Sequence, residues 1–521
     1  MRLLVCTLAA LLAGAGVARA DQTIHLEGDL PQGGADFVLV PFEVPAGVAE
    51  IEVQHKNPDS DNVIDFGLED PAGFRGWGGG NSEPALVNEK AASRSYLPGP
   101  ISAGTWNVVV GLALIKRAPG RYSIDVVLRD AATLAPQTER SPYAPSAPLE
   151  NGARWYAGDF HVHSRESGDA RPTIDEAATF ASSRGLDFIV LTEHNTVSHR
   201  EYLRAEQAKH PSLLLMPGIE LTTYKGHMGL INATRYVDHK LGVGGRDIAA
   251  VVGDAVAQQA LVSINHPLLD LQDACIGCKW EHAIPAELHA VEIATGGWKE
   301  TGFLFGLKTI DFWDQLAADG RIVAAIGGSD DHRAGQDLGA FQSPTGSPTT
   351  MVYAEALSAE AIVAGVRAGR TVVKLQGPDD PMLDVAVVNG PEHAVGLQVL
   401  AGVQAELLVT VDGAKGNALR MVIDGERGKA VPIDADPFSY RLTVDTPETG
   451  LRRVRAEVWV GSAPRTVSSH VLLRREQVED DGGGCAHALA VPPRDASVPL
   501  ALLCALALLG AALVGRRRRS R

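Results

Sequence analysis

The sequence predicts a multidomain protein with a central α/β body, a β-sandwich on either side, and an apolar segment at each end. Three observations predict this. Short runs of alternating apolar and polar residues, broken by Gly, Pro, Asn and Asp, fill residues 21–130 and return over 376–475. Between them, over 154–375, apolar strand-like runs alternate with helix-like stretches, which means an α/β layer or barrel. The chain has 521 residues, too long for one typical domain.

The ends come first. Residues 1–20, "MRLLVCTLAALLAGAGVARA", have a basic start, an apolar run and an A-x-A site. They read as a secretory signal peptide. Residues 498–515 form an uncharged run of 18, just long enough to cross a bilayer, and the basic tail 516–521 follows. Before it, 476–497 reads as a flexible linker, "EDDGGGCAHALAVPPRDAS". Glycines, a cysteine, a Pro-rich spacer, an apolar helix and an Arg cluster in that order resemble bacterial C-terminal sorting tails of the myxobacterial type. The resemblance implies processing at Cys485 by sorting machinery. Ala486 and His487 follow it where that pattern has Ser. The alternative is a single-span membrane anchor that stays in place. Either way the protein is expected in the cell envelope or at the cell surface, anchored or released after processing.

Charge narrows the partners. The chain has 63 Asp+Glu against 47 Lys+Arg, and neither apolar end contains an acid, so the body is strongly acidic. Such a surface repels nucleic acid, and no nucleic-acid binding is expected. Of the five cysteines, Cys6 and Cys504 lie in the apolar ends, and Cys275 and Cys278 form one C-x-x-C. With no second pair a four-cysteine zinc site is excluded. In an oxidising compartment a local disulfide is favoured over a redox motif.

Residues 21–130 carry "ADFVLVPFEV", "AEIEVQHK", "GTWNVVVGL" and "GRYSIDVVLRD", the strands of an accessory β-sandwich. The Pro/Ser-rich 131–153 reads as a linker. In 154–375 the strands are "FIVLTEHN", "LLLMPGIE", "MGLINA", "LVSINHP", "AVEIATG" and "IVAAIGGSDDH". Helices are expected in "TIDEAATFASSRG" and "GRDIAAVVGDAVAQQA", and a last helix and strand in "SAEAIVAGVRAGRTVV". Residues 376–475 hold the strands of a second sandwich, among them "AELLVTV" and "RVRAEVWVG".

The α/β body holds most of the 16 histidines, and its strand-like runs end in imidazoles and carboxylates. His161 and His163 precede Asp169, Glu193 and His194 close one run, and Glu220 closes the next. His227 follows, then His266, and finally Asp330 and His332. Active sites of α/β barrels form at the C-terminal strand ends. Each of these residues alone reads as a satisfied polar side chain; the set does not. Six imidazoles with several carboxylates exceed the needs of one ion and fit two or three, with carboxylates bridging them. Strand residues two apart share a face, so His161 with His163, and Asp330 with His332, are each expected to chelate one ion. His199, His210, His239, His282 and His289 read as solvated surface. Glu292 reads as a partner supporting a ligand. Arg165 and Lys225 are candidates for binding an anionic substrate.

The ordered set "HVH" with Asp169, "TEHN", "GIE", "GHMGLINA", "NHP" and "GSDDH" resembles the PHP (polymerase and histidinol phosphatase) family over roughly 155–375. With the flanking β modules it looks like the carbaryl-hydrolase-like subgroup. The resemblance implies a distorted seven-stranded (β/α) barrel holding two to three divalent ions (Zn, Mn or Fe). It places ligands at His161, His163, Asp169, His194, Glu220, His227, His266, Asp330 and His332, with Glu220 bridging. Glu193 stands where the motif usually has Asp, and Asp169 where several members have His or Glu.

The expected function is hydrolysis of a small-molecule or phosphoester substrate by a metal-bridging hydroxide. Catalytic roles fall to Glu220, Asp330 and Arg165, the last stabilising charge on the leaving oxygen. Carbamate, ester or amide substrates are the alternative. Two non-enzymatic readings compete: a degenerate barrel acting as a surface binding module, and adhesion through the sandwiches.

Overall fold

The computed structural model describes residues 21–296, 303–339 and 342–476. The expected signal peptide, apolar C-terminal helix and basic tail lie outside the described residues, as does the linker before that helix beyond residue 476. Among the described residues no helix is long and apolar enough to cross a membrane.

The N-terminal module contains β1 (Gln22–Leu30), β2 (Phe37–Val44), β3 (Glu50–Lys56), β4 (Val63–Asp70), β5 (Gly73–Gly79), β6 (Ala85–Asn88), β7 (Gly104–Leu114) and β8 (Gly120–Arg129). They form two four-stranded sheets, β1-β8-β3-β6 and β2-β7-β4-β5. In β8 every second residue, Ile124, Val126 and Leu128, turns inward, and they share one core with Trp106, Val108 and Val110 of β7. Residues 131–149 carry no helix or strand, yet they are tied down. Arg140 donates to Glu201 Oε2 at 2.9 Å and to the Tyr96 carbonyl at 3.1 Å.

The central sheet comprises β9 (Glu150–Val162), β10 (Phe188–His194), β11 (Leu214–Thr223), β12 (Gly226–Ile231), β13 (Leu261–Ile264), β14 (Ala290–Ala294) and β15 (Ala324–Gly327). They lie side by side in chain order, and β16 (Thr349–Leu357) and β17 (Thr371–Lys374) extend the sheet beyond β9. All pairs from β9 to β15 are parallel except those of β12, which is antiparallel to both neighbours. "MGLINA" is therefore the return arm of a hairpin, with no helix between it and "GIE". Helices α1 (Ile174–Ser183), α2 (Leu203–Lys209), α3 (Ile248–Val256), α4 (Phe303–Leu316) and α5 (Ala359–Arg367) fill other crossovers. The start of α1 is written locally: Thr173 and Glu176 form a reciprocal capping box. Residues of all seven strands, among them Phe160, Val190, Met216, Ile231, Leu261, Ala290 and Ile326, meet in one apolar cluster. A parallel bridge between Val162 and Asp331, with the Asp330 amide donating to the His161 carbonyl at 2.9 Å, joins the first strand to the segment after the last.

A bulge in β9 aims the first two histidines. Gly158 and Asp159 pair with Phe188 and Ile189, but Val162 pairs with Leu191, so β9 has one residue more than β10 there. Phe160 stays in the apolar cluster while His161 and His163 turn to the site, as bulges re-aim side chains near functional centres.

The C-terminal module has one sheet of Met382–Val387, Gln404–Asp412 and Phe438–Asp445. The other contains Ala418–Ile423, Arg452–Val460 and Ala463–Ser468, and it continues the central sheet, because β17 pairs with Ala463–Ser468. The two layers share a core that includes Val385, Leu407, Val409, Val454 and Val458.

Candidate metal centre

The nine expected ligand residues come together at the edge of the sheet where its parallel strands end; His227 reaches it from the start of the antiparallel β12 and Asp169 from the loop before α1. Glu220, at the end of the β10–β11 ladder opposite His194, is the hub. Its Oε2 lies 3.2 Å from His161 Nε2, 3.5 Å from His163 Nε2 and 3.0 Å from His194 Nδ1. Its Oε1 lies 3.3 Å from His227 Nδ1 and 3.2 Å from His266 Nε2. Asp330 Oδ1 sits between His161 and His163 Nε2, at 3.3 and 3.2 Å. Asp169 Oδ2 sits between His194 and His332 Nε2, at 3.3 and 3.5 Å.

Two groups follow from these contacts. His161, His163, Glu220 and Asp330 present mutually close donor atoms, as do His163, His194 and His332. Asp330 Oδ1 lies 3.6 Å from His332 Nδ1, while His332 Nε2 turns to Asp169 and His194, so the two residues reach both groups. Asp330 has φ +56°, so the chain leaves the extended form and the two-residue alternation no longer applies. Gly328 packs directly under Glu292 and His161, a close approach that only a residue without Cβ permits.

The polar atoms inside this cluster are poorly satisfied by the protein itself. His161 Nε2, His163 Nε2, Glu220 Oε2, His227 Nε2 and Asp330 Oδ1 are all buried and have no hydrogen-bond partner. Buried orphans of this kind are costly and rare; here they converge from four strand ends and mix imidazole with carboxylate, the donor set of a divalent transition metal. The electrostatics agree. Burial disfavours charge on His161, yet facing Glu220, Asp330 and Glu292 override it and raise its pKa well above the usual value. Burial also opposes ionisation of Glu220, and His161 and His227 override it and hold the carboxyl well below the carboxylate range. His163, by contrast, is pushed down to about 3 by burial and by the neighbouring His332 and His194. Charge is thus favoured on the ring that faces the acids, His161, and disfavoured on His163, which faces other rings.

The far ring nitrogens are fixed. His163 Nδ1 meets Ser167 Oγ at 2.7 Å, and His332 Nδ1 the Asp330 carbonyl at 2.9 Å. Glu292 Oε1 lies 3.1 Å from His161 Nδ1, and its Oε2 accepts from the His266 amide at 2.8 Å. Glu292 is thus a support for two ligand residues. Glu292→Gln is expected to leave the metal count unchanged and to lower metal affinity or activity by ~10–100-fold, read by metal titration and turnover. Glu193 does not join the ligands. Its carboxyl accepts from the Ser164 amide and, at 2.6 Å, from Ser164 Oγ, and burial raises its pKa to about 8.

Three supports escape a sequence reading. Buried Asp159 accepts from the His161, Ser329 and Gly346 amides at 3.0, 3.0 and 2.7 Å, and so fixes the turn that carries Asp330. Asp331 caps the next turn through Gly335 and Thr345. Asn265 donates to Glu220 Oε1 at 3.1 Å. All three are ordinary polar residues in turn-rich sequence, and only contacts between distant segments single them out.

Other expectations need correction. Arg165 is exposed and lines a separate cleft with Glu139, Glu166 and Glu206; it does not line the metal pocket. Lys225 is exposed at the β11–β12 turn and does not line it either. His199 and His239, expected at the surface, are buried, at 0% and 1% exposure. His239 packs on Phe37 and Trp77 of the N-terminal module, because these modules share an apolar contact that their separate sequences do not reveal. His210, His282 and His289 are half-buried and hydrogen-bonded to Asp175, Thr223 and Arg367.

The cluster opens into a cavity of about 580 Å³. His194 and His332 are each 18% exposed and Asp169 58%, so they form the mouth, while His161, His163 and Glu220 lie deep at 0–1%. One wall comes from the N-terminal sandwich: Asp65, Trp77 and residues 78–82 line the cavity opposite the strand ends. Tyr224 donates to Asp65 Oδ2 at 2.8 Å, and burial raises the Asp65 pKa to about 6. The module is locked in place: Ser95 Oγ donates to the Glu166 carbonyl at 2.8 Å, and Thr196 Oγ1 to the Ser95 carbonyl at 2.9 Å. Gly168, at φ +89°, would place a Cβ 2.8 Å from the Gly78 carbonyl. Gly168→Ala is therefore expected to cost ~1–3 kcal/mol through overpacking and strain, measured by denaturant unfolding.

No family model matches the chain, and no curated protein matches it. Among solved structures it is similar to a two-domain protein from Bacteroides vulgatus containing a predicted PHP-like metal-dependent phosphoesterase, at 19% identity. That match covers 64% of this chain and 98% of the other, with a TM-score of 0.34. It is also similar to an amidohydrolase from Chromobacterium violaceum, at 15% identity over 36% of this chain and 91% of the other, with a TM-score of 0.23.

Proposed function

We propose that the chain is an exported PHP-type metal-dependent hydrolase, acting first on phosphoesters. The observation that carries this reading is the convergence of five buried, unpartnered ligand atoms on His161, His163, Glu220, His227 and Asp330. One ion would be held by His161, His163, Glu220 and Asp330, a second by Glu220, His227 and His266, and a third by Asp169, His194 and His332. When bound, divalent ions there supply Lewis acidity and lower the pKa of a water to near neutrality.

The chain's own residues do the rest. Glu220 spans the first two positions and cancels charge between them. Asp330 lines the cavity, and its carboxylate, between His161 and His163, adds negative charge beside the attacking water. Asp169, His194 and His332 at the mouth hold the leaving-group side. Asp65 and Tyr224 face them and orient the substrate. The described cavity lining contains neither Lys nor Arg, which favours a second reading: a carbamate, ester or amide substrate that carries no dianionic phosphate. The N-terminal leader, the C-terminal membrane helix and processing at Cys485 complete the proposal as routes of export and anchoring.

Elemental analysis of the purified protein, with hydrolysis of p-nitrophenyl phosphate, its bis ester and p-nitrophenyl acetate, tests both readings. Two or three equivalents of Zn, Mn or Fe and chelator-sensitive turnover are expected. The preferred ester separates phosphorus from carbonyl chemistry. Absence of metal after anaerobic reconstitution would leave the sandwiches as the functional part and sink the hydrolase.

A further inference from the structure

The C-x-x-C loop sits on the metal cavity. Cys275 and Cys278 are paired, and both line the same cavity as His194, Glu220, His227 and Asp330. Their positions differ. Cys275 is half-buried, whereas Cys278 is 1% exposed. The Cys278 sulfur and one ring nitrogen each of His227 and His266 lie within 4.8 Å of one another.

The loop is built into this place. His266 Nδ1 lies 3.0 Å from the Cys278 carbonyl, and the Trp280 amide donates to the Pro267 carbonyl at 2.9 Å. Gly277, at φ +77°, packs on the backbone of Thr223 and Tyr224, where a Cβ would strike the Thr223 carbonyl. That contact holds the sulfur over the β11–β12 hairpin, between the segments that carry Glu220, His227 and His266. The buried Nε2 of His227 has no partner. Two imidazoles, one of them orphaned, therefore share a buried pocket with a sulfur that the disulfide withholds.

We propose that Cys278 is a redox-gated metal ligand: reduction of Cys275–Cys278 delivers a thiolate to the position between His227 and His266. This rests on the metal-centre reading above and adds to it a sulfur ligand and a switch. The chemistry balances with a dithiol as reductant. One of its thiolates attacks the more accessible Cys275 sulfur, the S–S bond breaks, and Cys278 leaves as a thiolate. The second thiol of the reductant resolves the mixed disulfide and frees Cys275. The reductant ends as a disulfide. Of its two protons, one stays on Cys275 and one goes to solvent, because a metal-held sulfur is deprotonated. Oxidised, the second position has histidine and carboxylate ligands and an open site. Reduced, it gains a soft ligand, closes, and favours zinc over manganese.

The test uses the full chain loaded with Co²⁺, whose thiolate bonds give a near-ultraviolet charge-transfer band that nitrogen and oxygen ligands do not. A water-soluble phosphine reduces the disulfide without adding a thiolate, taking up oxygen from water as two thiols form. Thiol titration verifies the reduction. The expected result is a band that appears only after reduction. Cys275→Ser should show it without reduction, and Cys278→Ser should never show it. Cobalt bound with its visible ligand-field spectrum but no charge-transfer band after verified reduction overturns this inference and leaves the hydrolase reading intact. Failure to bind cobalt at all overturns both. Each serine variant alters a single atom, and circular dichroism checks that it folds.

Discussion

Glu220→Ala is expected to empty two metal positions at once. Its two oxygens face five imidazoles at 3.0 to 3.5 Å, and they lie between the Nε2 atoms of His161 and His163 and the rings of His227 and His266. Removing it leaves those rings facing one another in a buried site without the negative charge that lets a cation settle there. Loss of an outer supporting partner typically costs ~10–100-fold. A bridging ligand should exceed that, so turnover is expected to fall by about 10³-fold or more, on the scale of a lost preorganised electrostatic contact. Metal content should fall with it. Glu220→Gln keeps the shape and removes the charge, and should behave nearly as badly. Elemental analysis beside kcat/KM is the measurement; full metal occupancy in Glu220→Ala would refute the bridging role.

Asp314→Ala is expected to produce the largest loss of stability. Asp314 lies on α4 and is 4% exposed. Its Oδ1 accepts from Arg453 at 2.6 Å and lies 3.1 Å from His470 Nε2; its Oδ2 accepts from Arg455 Nε at 3.0 Å. Arg455 also reaches Glu457, and both are fully buried. This network joins a helix of the central module to the C-terminal sandwich. Without Asp314 two buried guanidiniums lose a counter-charge, and breaking a buried pair from one side costs ~3–5 kcal/mol. Burial opposes ionisation of Asp314, but His470 and Arg455 override it and hold the carboxyl below its ordinary range. Its folded pKa is therefore depressed, so its contribution is present above the unfolded value of about 3.9 and fades as pH falls below it. Chemical unfolding near neutral pH and near pH 3 should show the gap between wild type and Asp314→Ala shrinking in acid. An equal gap at both pH values would place the cost in packing rather than charge.

How legible the site was depends on the kind of residue. His161, His163, Glu220, His266 and Asp330 stand out because imidazoles and acids at strand ends are unusual and their order is fixed along the chain. Asp159, Asp331 and Asn265 do not, because their roles exist only through amides and carboxylates far away in sequence. Arg165 was drawn in by nearness in sequence to His163, yet the turn after β9 sends it to an acidic cleft on the outside. A histidine between polar neighbours looks solvated, yet packing of one module on another buries His239.

The sequence by itself determined the alternation of strands and helices, the inward face of β8, the capping box of α1, and the ligand types at the strand ends. All of these follow from local periodicity and side-chain chemistry. Tertiary structure alone decided that β12 runs backwards, that a bulge turns His161 into the site, and that Asp65 and Trp77 wall the cavity. It also set the C-x-x-C sulfur against His227 and His266. Those facts depend on register, on backbone angles away from the extended form, and on contacts across a hundred residues or more, none of which a local pattern encodes.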